Sequence, residues 1–182
     1  MNLNYSLFIY SVLVSLLSCF SLTQADSRTE QYGVVVDAGS TSSKLKIYKY
    51  TYLPESRIPN IQLLKKQKFK PGLASFYGDK PGLEKYLKDI LTAADSEVPA
   101  EKRQLTSIFL FGTAGFRYLP AHQSQSLMEG VRKTFGNSHF RFQDSNVQVI
   151  SGEEEAAYLW VAVNYLTGYF ANGEKKGNNN NV

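Results

Sequence analysis

Tyr32-Gly33-Val34-Val35-Val36-Asp37-Ala38-Gly39-Ser40-Thr41-Ser42-Ser43-Lys44-Leu45-Lys46-Ile47-Tyr48-Lys49-Tyr50 holds two strands and the loop between them. The first is a short apolar run that stops at an acid and a glycine turn, the pattern of a buried strand. The second alternates apolar and polar residues, as a half-buried strand does. The polar loop Ala38–Lys44 is short, so the two strands are expected to fold back as a hairpin. Ile61 to Phe69 reads as a third strand, which extends the hairpin into an antiparallel meander.

Downstream the periodicity changes. Leu83, Tyr86, Leu87, Ile90 and Leu91 recur at helical spacing within Gly82–Leu91. Pro99–Arg103 reads as a turn, Ser107–Gly112 as a second buried strand and Gln123–Phe135 as a helix. Val147–Ile150 reads as a strand, followed by a helix over Glu153–Leu166 with Tyr158, Trp160, Val161 and Tyr165 available for packing. The order β-β-β, helix, β, helix, β, helix predicts an α/β domain, its mixed sheet starting with a β-hairpin and flanked by helices.

The chain has 182 residues, 43% of them apolar and 20% charged, an ordinary globular balance. A formal net charge of +4 is modest. The one basic cluster, Lys65-Lys66-Gln67-Lys68-Phe69-Lys70, suits a solvated strand as well as a polyanion, and no nucleic-acid motif accompanies it. No nucleic-acid partner is expected. Cys19 is the single cysteine, so the body of the chain has neither a disulfide nor a thiolate metal site.

Leu7 to Leu22 is an apolar run without a charge, followed by Thr23 and Ala25 at signal-peptidase positions. A signal peptide over residues 1–25 is expected, making the remainder extracytoplasmic and secreted. No Lys or Arg precedes the run, and Leu3–Leu22 is long enough to cross a bilayer, so an uncleaved anchor is the alternative. Only that alternative implies a membrane partner. The domain itself is expected over residues 26–170, and the Asn-rich polar tail over 171–182 is expected to be disordered.

Three motifs bear chemistry. In Asp37-Ala-Gly39-Ser40-Thr41-Ser42-Ser43-Lys44, glycine lets the backbone approach a ligand, and the amides, hydroxyls and lysine offer donors to phosphate oxygens. A serine-rich hairpin turn is the plain reading of the same residues. It is not a Walker A loop, which requires a following helix. In Gly112-Thr113-Ala114-Gly115-Phe116-Arg117, small residues at a strand end make room either for a ligand or for close packing. In Ser151-Gly152-Glu153-Glu154-Glu155-Ala-Ala-Tyr158, three acids start a helix. Either they only complement its dipole, or one serves as a general base for water.

Together these three motifs, in order, resemble the first three conserved regions of the apyrases (nucleoside triphosphate diphosphohydrolases of the ecto-nucleotidase type). Lys70-Pro-Gly-Leu-Ala-Ser75 also resembles the segment between the first two regions in bacterial members, and the likeness runs from about Tyr32 to Gly168. The resemblance implies an actin-like, ribonuclease-H-like lobe and hydrolysis of nucleoside tri- and diphosphates by metal-assisted attack of water. Gly39, Ser40, Thr41, Ser42, Ser43 and Lys44 match the phosphate-binding region, and Thr113 and Arg117 match region two. Asp37 matches the aspartate that organises a hydrated divalent cation, Mg²⁺ or Ca²⁺, and Glu155 matches the catalytic base.

The sequence departs from the family pattern in two ways. Ala156 stands where the family usually has glycine, and the fourth and fifth regions, the fourth a Gly-Gly-Ala-Ser phosphate loop, are absent. A truncated protein carrying the N-terminal lobe alone is therefore expected. A non-catalytic secreted nucleotide-binding domain, or an inactive fragment, is the alternative function. An actin-like kinase or chaperone ATPase lobe also uses an aspartate–glycine hairpin, but the leader and the acidic helix start argue against it.

Overall fold

The computed structural model describes residues 30–52, 56 and 58–170. The expected leader (1–25) and polar tail (171–182) lie outside the described residues. The chain divides into two compact units, Gln31–Lys49 with Gln62–Ser151, and Tyr50–Ile61 with the segment from Gly152 onward.

Strands β1 (Gln31–Ala38), β2 (Ser43–Thr51), β3 (Asn60–Phe69), β4 (Ser107–Gly112) and β5 (Val147–Val149) form a sheet in the order β3-β2-β1-β4-β5. β4 runs parallel to both β1 and β5, pairing Val36 with Leu110 and Leu110 with Val147. A parallel pair needs a crossover of about a dozen residues or more. Only Gly39–Ser42 separates β1 from β2, and 52–59 separates β2 from β3, so those pairs are antiparallel. The sheet is therefore mixed and opens with the expected hairpin.

Helices α1 (Lys80–Asp95), α2 (Ala100–Arg103), α3 (Ala114–Arg117), α4 (Ala121–Gly136) and α5 (Gly152–Leu166) complete the order. α1 starts three residues before the first residue of its apolar periodicity, Leu83. The Asp79 side chain caps it by accepting from the Gly82 amide at 2.9 Å, and Pro81 stands in the first turn, where its missing N–H costs nothing. Leu83, Tyr86, Leu87, Ile90 and Ala94 form its buried stripe. Pro99–Arg103, read as a turn, forms the short α2 instead.

The core of the larger unit lies on one face of the sheet. Val34, Val36 and Ala38 of β1, Leu45 and Ile47 of β2, and Ile108 and Leu110 of β4 meet the stripes of α1 and α4 there. Period-two geometry sends the intervening residues to the opposite face. Val35, Tyr48, Phe109 and Phe111 are also buried. Burial on both faces is why β1 and β4 read as continuous apolar runs.

In the smaller unit, Tyr158, Leu159, Val161 and Tyr165 of α5 pack with Ile61 around Ala162. The Tyr165 hydroxyl donates to the Pro59 carbonyl at 2.9 Å and accepts from the Ile61 amide at 3.1 Å. Trp160, expected to pack, is instead 60% exposed, with its ring edge against Phe170. Tyr158, Val161, Ala162 and Tyr165 share one helical stripe at i, i+3, i+4 and i+7, and position 160 points away from it.

Candidate functional site

Asp37 ends the buried part of β1 on the face opposite the main core. Its carboxylate is held from two sides. Oδ1 accepts from the Thr113 hydroxyl at 3.4 Å, and Oδ2 lies 3.5 Å from Lys44 Nζ. The sheet register brings these groups together. Ala38 pairs with Gly112 across the parallel β1–β4 ladder, and the Thr113 amide continues it by donating to the Ala38 carbonyl at 3.3 Å. Two motifs 76 residues apart thus meet at adjacent strand ends.

The loop after Asp37 is closed by the Gly39 amide donating to the Ser42 carbonyl at 3.1 Å. Ser40 and Thr41 are exposed, whereas Ser42 and Ser43 are buried at 4% and 0%. The exposed hydroxyls of the region-one run are therefore those of Ser40 and Thr41.

Two glycines explain how tightly this loop is held. A Cβ on Gly115 would come within 2.5 Å of the Ser40 Cα, and one on Gly72 within 2.5 Å of the Ser40 carbonyl oxygen. Both neighbours are backbone, which has little room to yield. A Cβ on Gly112 would meet Met128 at 2.7 Å. Small residues of the second motif are thus used for close packing, and Gly115 packs on the candidate phosphate loop itself.

Arg117, exposed at the end of α3, donates from Nη1 to the Ile150 carbonyl at 2.8 Å. This bond ties the second motif to the strand end where the third begins. Glu153, Glu154 and Glu155 occupy the first turn of α5, where the helix dipole favours acids. The first two are exposed and Glu155 is half-buried. Among the three acids, the one singled out by resemblance is therefore also the least solvated. Glu155 belongs to the smaller unit; Asp37, the loop, Thr113 and Arg117 belong to the larger.

One site-lining residue escaped the sequence reading. Lys46 is only 4% exposed, on the same strand face as Lys44. Burial pulls its pKa down to about 8, against the upward pull of the Asp37 carboxylate and with smaller downward pushes from Lys66 and Lys44. Alternation marked it as a solvent-facing position, which holds only when one sheet face is open to water.

A divalent cation fits here only in a particular way. No cluster of three or more His, Cys, Asp or Glu occurs among the described residues, and Asp37 already shares its oxygens with Thr113 and Lys44. That donor set does not make an all-protein cage. It suits a cation that keeps its waters and takes its other ligands from phosphate, as Mg²⁺ does.

A model of the GDA1/CD39 (nucleoside phosphatase) family matches residues 23–182, a span that contains all three motifs. The chain belongs to that family. Among curated relatives, it is 32% identical over 154 residues to nucleoside-diphosphatase mig-23 of Caenorhabditis elegans, covering 80% of this chain and 28% of that protein. It is 31% identical to human ectonucleoside triphosphate diphosphohydrolase 6, covering 80% of this chain and 30% of that protein. It is 37% identical to nucleoside-triphosphatase ntp-1 of C. elegans, covering 77% of this chain and 27% of that protein. This GDA1/CD39 chain thus spans roughly 30% of the length of such relatives. Among solved structures, a nucleoside triphosphate hydrolase from Neospora caninum matches with TM-score 0.59 at 18% identity, over 86% of this chain and 34% of that one. The GDA1/CD39 chain therefore has the actin-like lobe fold, with its mixed sheet flanked by helices.

Proposed function

We propose that this chain carries the first lobe of a hydrolase that removes the terminal phosphate from nucleoside tri- and diphosphates. The observation that supports this best is the joining of Asp37 and Thr113 at neighbouring strand ends, beside a loop that exposes Ser40 and Thr41. Donors from the loop and the Lys44 ammonium receive phosphate oxygens. Asp37 would hold a divalent cation, Mg²⁺ or Ca²⁺, through the waters that the ion keeps. When bound, such a cation offsets charge on the phosphate oxygens. Thr113 holds the Asp37 carboxylate in one orientation, and Lys44 lies against its second oxygen. Arg117 lends further positive charge to the site. Glu155 takes the proton from the attacking water, a role its half-buried position suits better than those of Glu153 and Glu154. Positioning and charge neutralisation supply most of the rate in such transfers.

A second reading of the same loop is nucleotide binding with little turnover, for which the exposed hydroxyls of Ser40 and Thr41 suffice. Titration of the purified 182-residue chain with ATP and ADP, with and without a chelator, and assay of released phosphate separate the two. Binding that a chelator weakens is expected, and released phosphate above background decides for hydrolysis over binding alone. Absence of any nucleotide binding overturns the assignment of the loop.

The same reading extends to export. The apolar run before Thr23 and Ala25 supports cleavage after Ala25 and a secreted product. No helix among the described residues is long and apolar enough to cross a membrane. Amino-terminal sequencing of exported protein is expected to start at Asp26; a start at Met1 overturns the cleavage.

A further inference from the structure

Tyr86 lies on α1, outside the three motifs, yet its phenol oxygen reaches the segment that holds the candidate phosphate loop. It donates to the Pro71 carbonyl at 2.9 Å and lies 3.3 Å from that of Phe69. Its ring is fixed between Phe76, at 4.8 Å between centroids, and Phe69, at 6.2 Å. Pro71 and the buried Leu73 bracket Gly72, whose Cα faces the Ser40 carbonyl so closely that a Cβ would stand 2.5 Å from it. The segment Phe69–Leu73 is therefore a strap: pinned by Tyr86 at one point, and pressed against the loop backbone at the next.

The second connection is to the loop's far end. The wholly buried Ser43 hydroxyl has no hydrogen-bond partner among the described residues, and the Tyr86 phenol lies close enough to feel it. Burial raises the pKa of the Tyr86 phenol, while the Ser43 hydroxyl and backbone both oppose that rise. One side chain thus stands behind Ser40 through the strap and beside Ser43 directly. Gly115 presses on Ser40 at its Cα and amide nitrogen.

From this geometry we infer that Tyr86 is a positioning residue, whose hydroxyl holds the Gly39–Ser43 loop in its anion-receiving shape through the Pro71–Gly72 strap. The inference rests on the reading of that loop as phosphate-binding, and it adds a specific lever outside the motifs. A structural role confined to the core would act through the ring, which Phe76 and Phe69 hold with or without the hydroxyl.

Tyr86→Phe keeps the ring and removes the hydroxyl, and Gly72→Ala disturbs the strap with Tyr86 intact. Amide hydrogen exchange by NMR on the full chain reads the loop directly, because the Gly39 amide is bonded to the Ser42 carbonyl. In Tyr86→Phe the Gly39 amide is expected to exchange about tenfold faster, the scale of one lost hydrogen bond. The β4 amides and the urea midpoint should move little. Gly72→Ala is expected to speed the same amide. ADP titration of wild type and Tyr86→Phe then reads function, with about three- to tenfold weaker binding expected in the variant. Unchanged Gly39 exchange in Tyr86→Phe overturns the positioning role, whatever Gly72→Ala does, as does acceleration spread evenly over the β4 amides. Wild-type chain that fails to bind ADP overturns the phosphate reading instead, and the exchange result still decides whether Tyr86 holds the loop.

Discussion

Lys46→Met tests the electrostatics of the site without touching a residue of the three motifs. The substitution removes a buried ammonium and keeps an unbranched side chain of comparable reach. Burial lowers the Lys46 pKa from 10.5 to about 8. Below about pH 8 both folded and unfolded chains hold the proton, and the folded state bears the whole penalty of the buried charge. Between about pH 8 and 10.5 folded Lys46 is neutral while the unfolded chain still binds a proton, so stability rises with pH. Above 10.5 the two states again match. At 1.36 kcal/mol per pH unit, the interval amounts to about 3 kcal/mol. Lys46→Met is therefore expected to be more stable than wild type at pH 7 by up to about 3 kcal/mol, the advantage fading to nothing near pH 10.5. Urea unfolding of both proteins at pH 7, 8, 9 and 10 measures it. The phenols of Tyr52 and Tyr86, which burial raises, lower stability at the alkaline end. Both proteins share them, so they cancel in the difference. A difference that stays constant from pH 7 to 10, or a variant less stable at pH 7, refutes the argument that burial dominates at Lys46.

Thr41→Glu puts a carboxylate on the exposed part of the loop, where repulsion from phosphate at about 4 Å amounts to roughly 4 kcal/mol at intermediate dielectric. ADP affinity by calorimetry should collapse while the unfolding midpoint holds. Ser42→Glu should instead destabilise the fold, because Ser42 is only 4% exposed and an unpaired buried charge is costly; a preserved urea midpoint contradicts this. Gly115→Ala forces a methyl toward the Ser40 backbone and is expected to cost about 1–3 kcal/mol, read by urea unfolding. In a protein with measurable turnover, Glu155→Gln should lower the rate about 10²–10⁴-fold, with Glu153→Gln much milder; equal rates for the two remove Glu155 from its role.

The strand–loop–strand at Tyr32–Tyr50 was legible because both its signals are local: an apolar run ending in a glycine turn, then alternation. The parallel partner β4 was legible for the same reason, as were α4 and α5 in outline. The apolar stripe over 82–91 is shorter than α1, whose start is set by the Asp79 cap and Pro81 and whose last turn adds only Ala94 to the buried stripe. The site residues named from the three motifs rest on resemblance, because each motif alone admits a plain structural reading. Close packing is one such reading, and it does hold for Gly112 and Gly115.

Residue order and period thus determined by themselves which segments are strands and helices, and where the acids, hydroxyls and glycines fall on them. Only the tertiary structure decided what those groups meet. The parallel β1–β4 register joined Thr113 to Asp37, a pairing 76 residues apart that no local pattern encodes. Burial of both sheet faces turned Lys46 from an expected surface lysine into an enclosed charge. Close approach of Gly72 and Gly115 to Ser40, with Tyr86 behind the strap, set how firmly the loop is held. Periodicity reports which face a side chain takes relative to its own strand or helix. Whether that face meets water, another layer or a loop backbone depends on segments distant in sequence, and so on the fold as a whole.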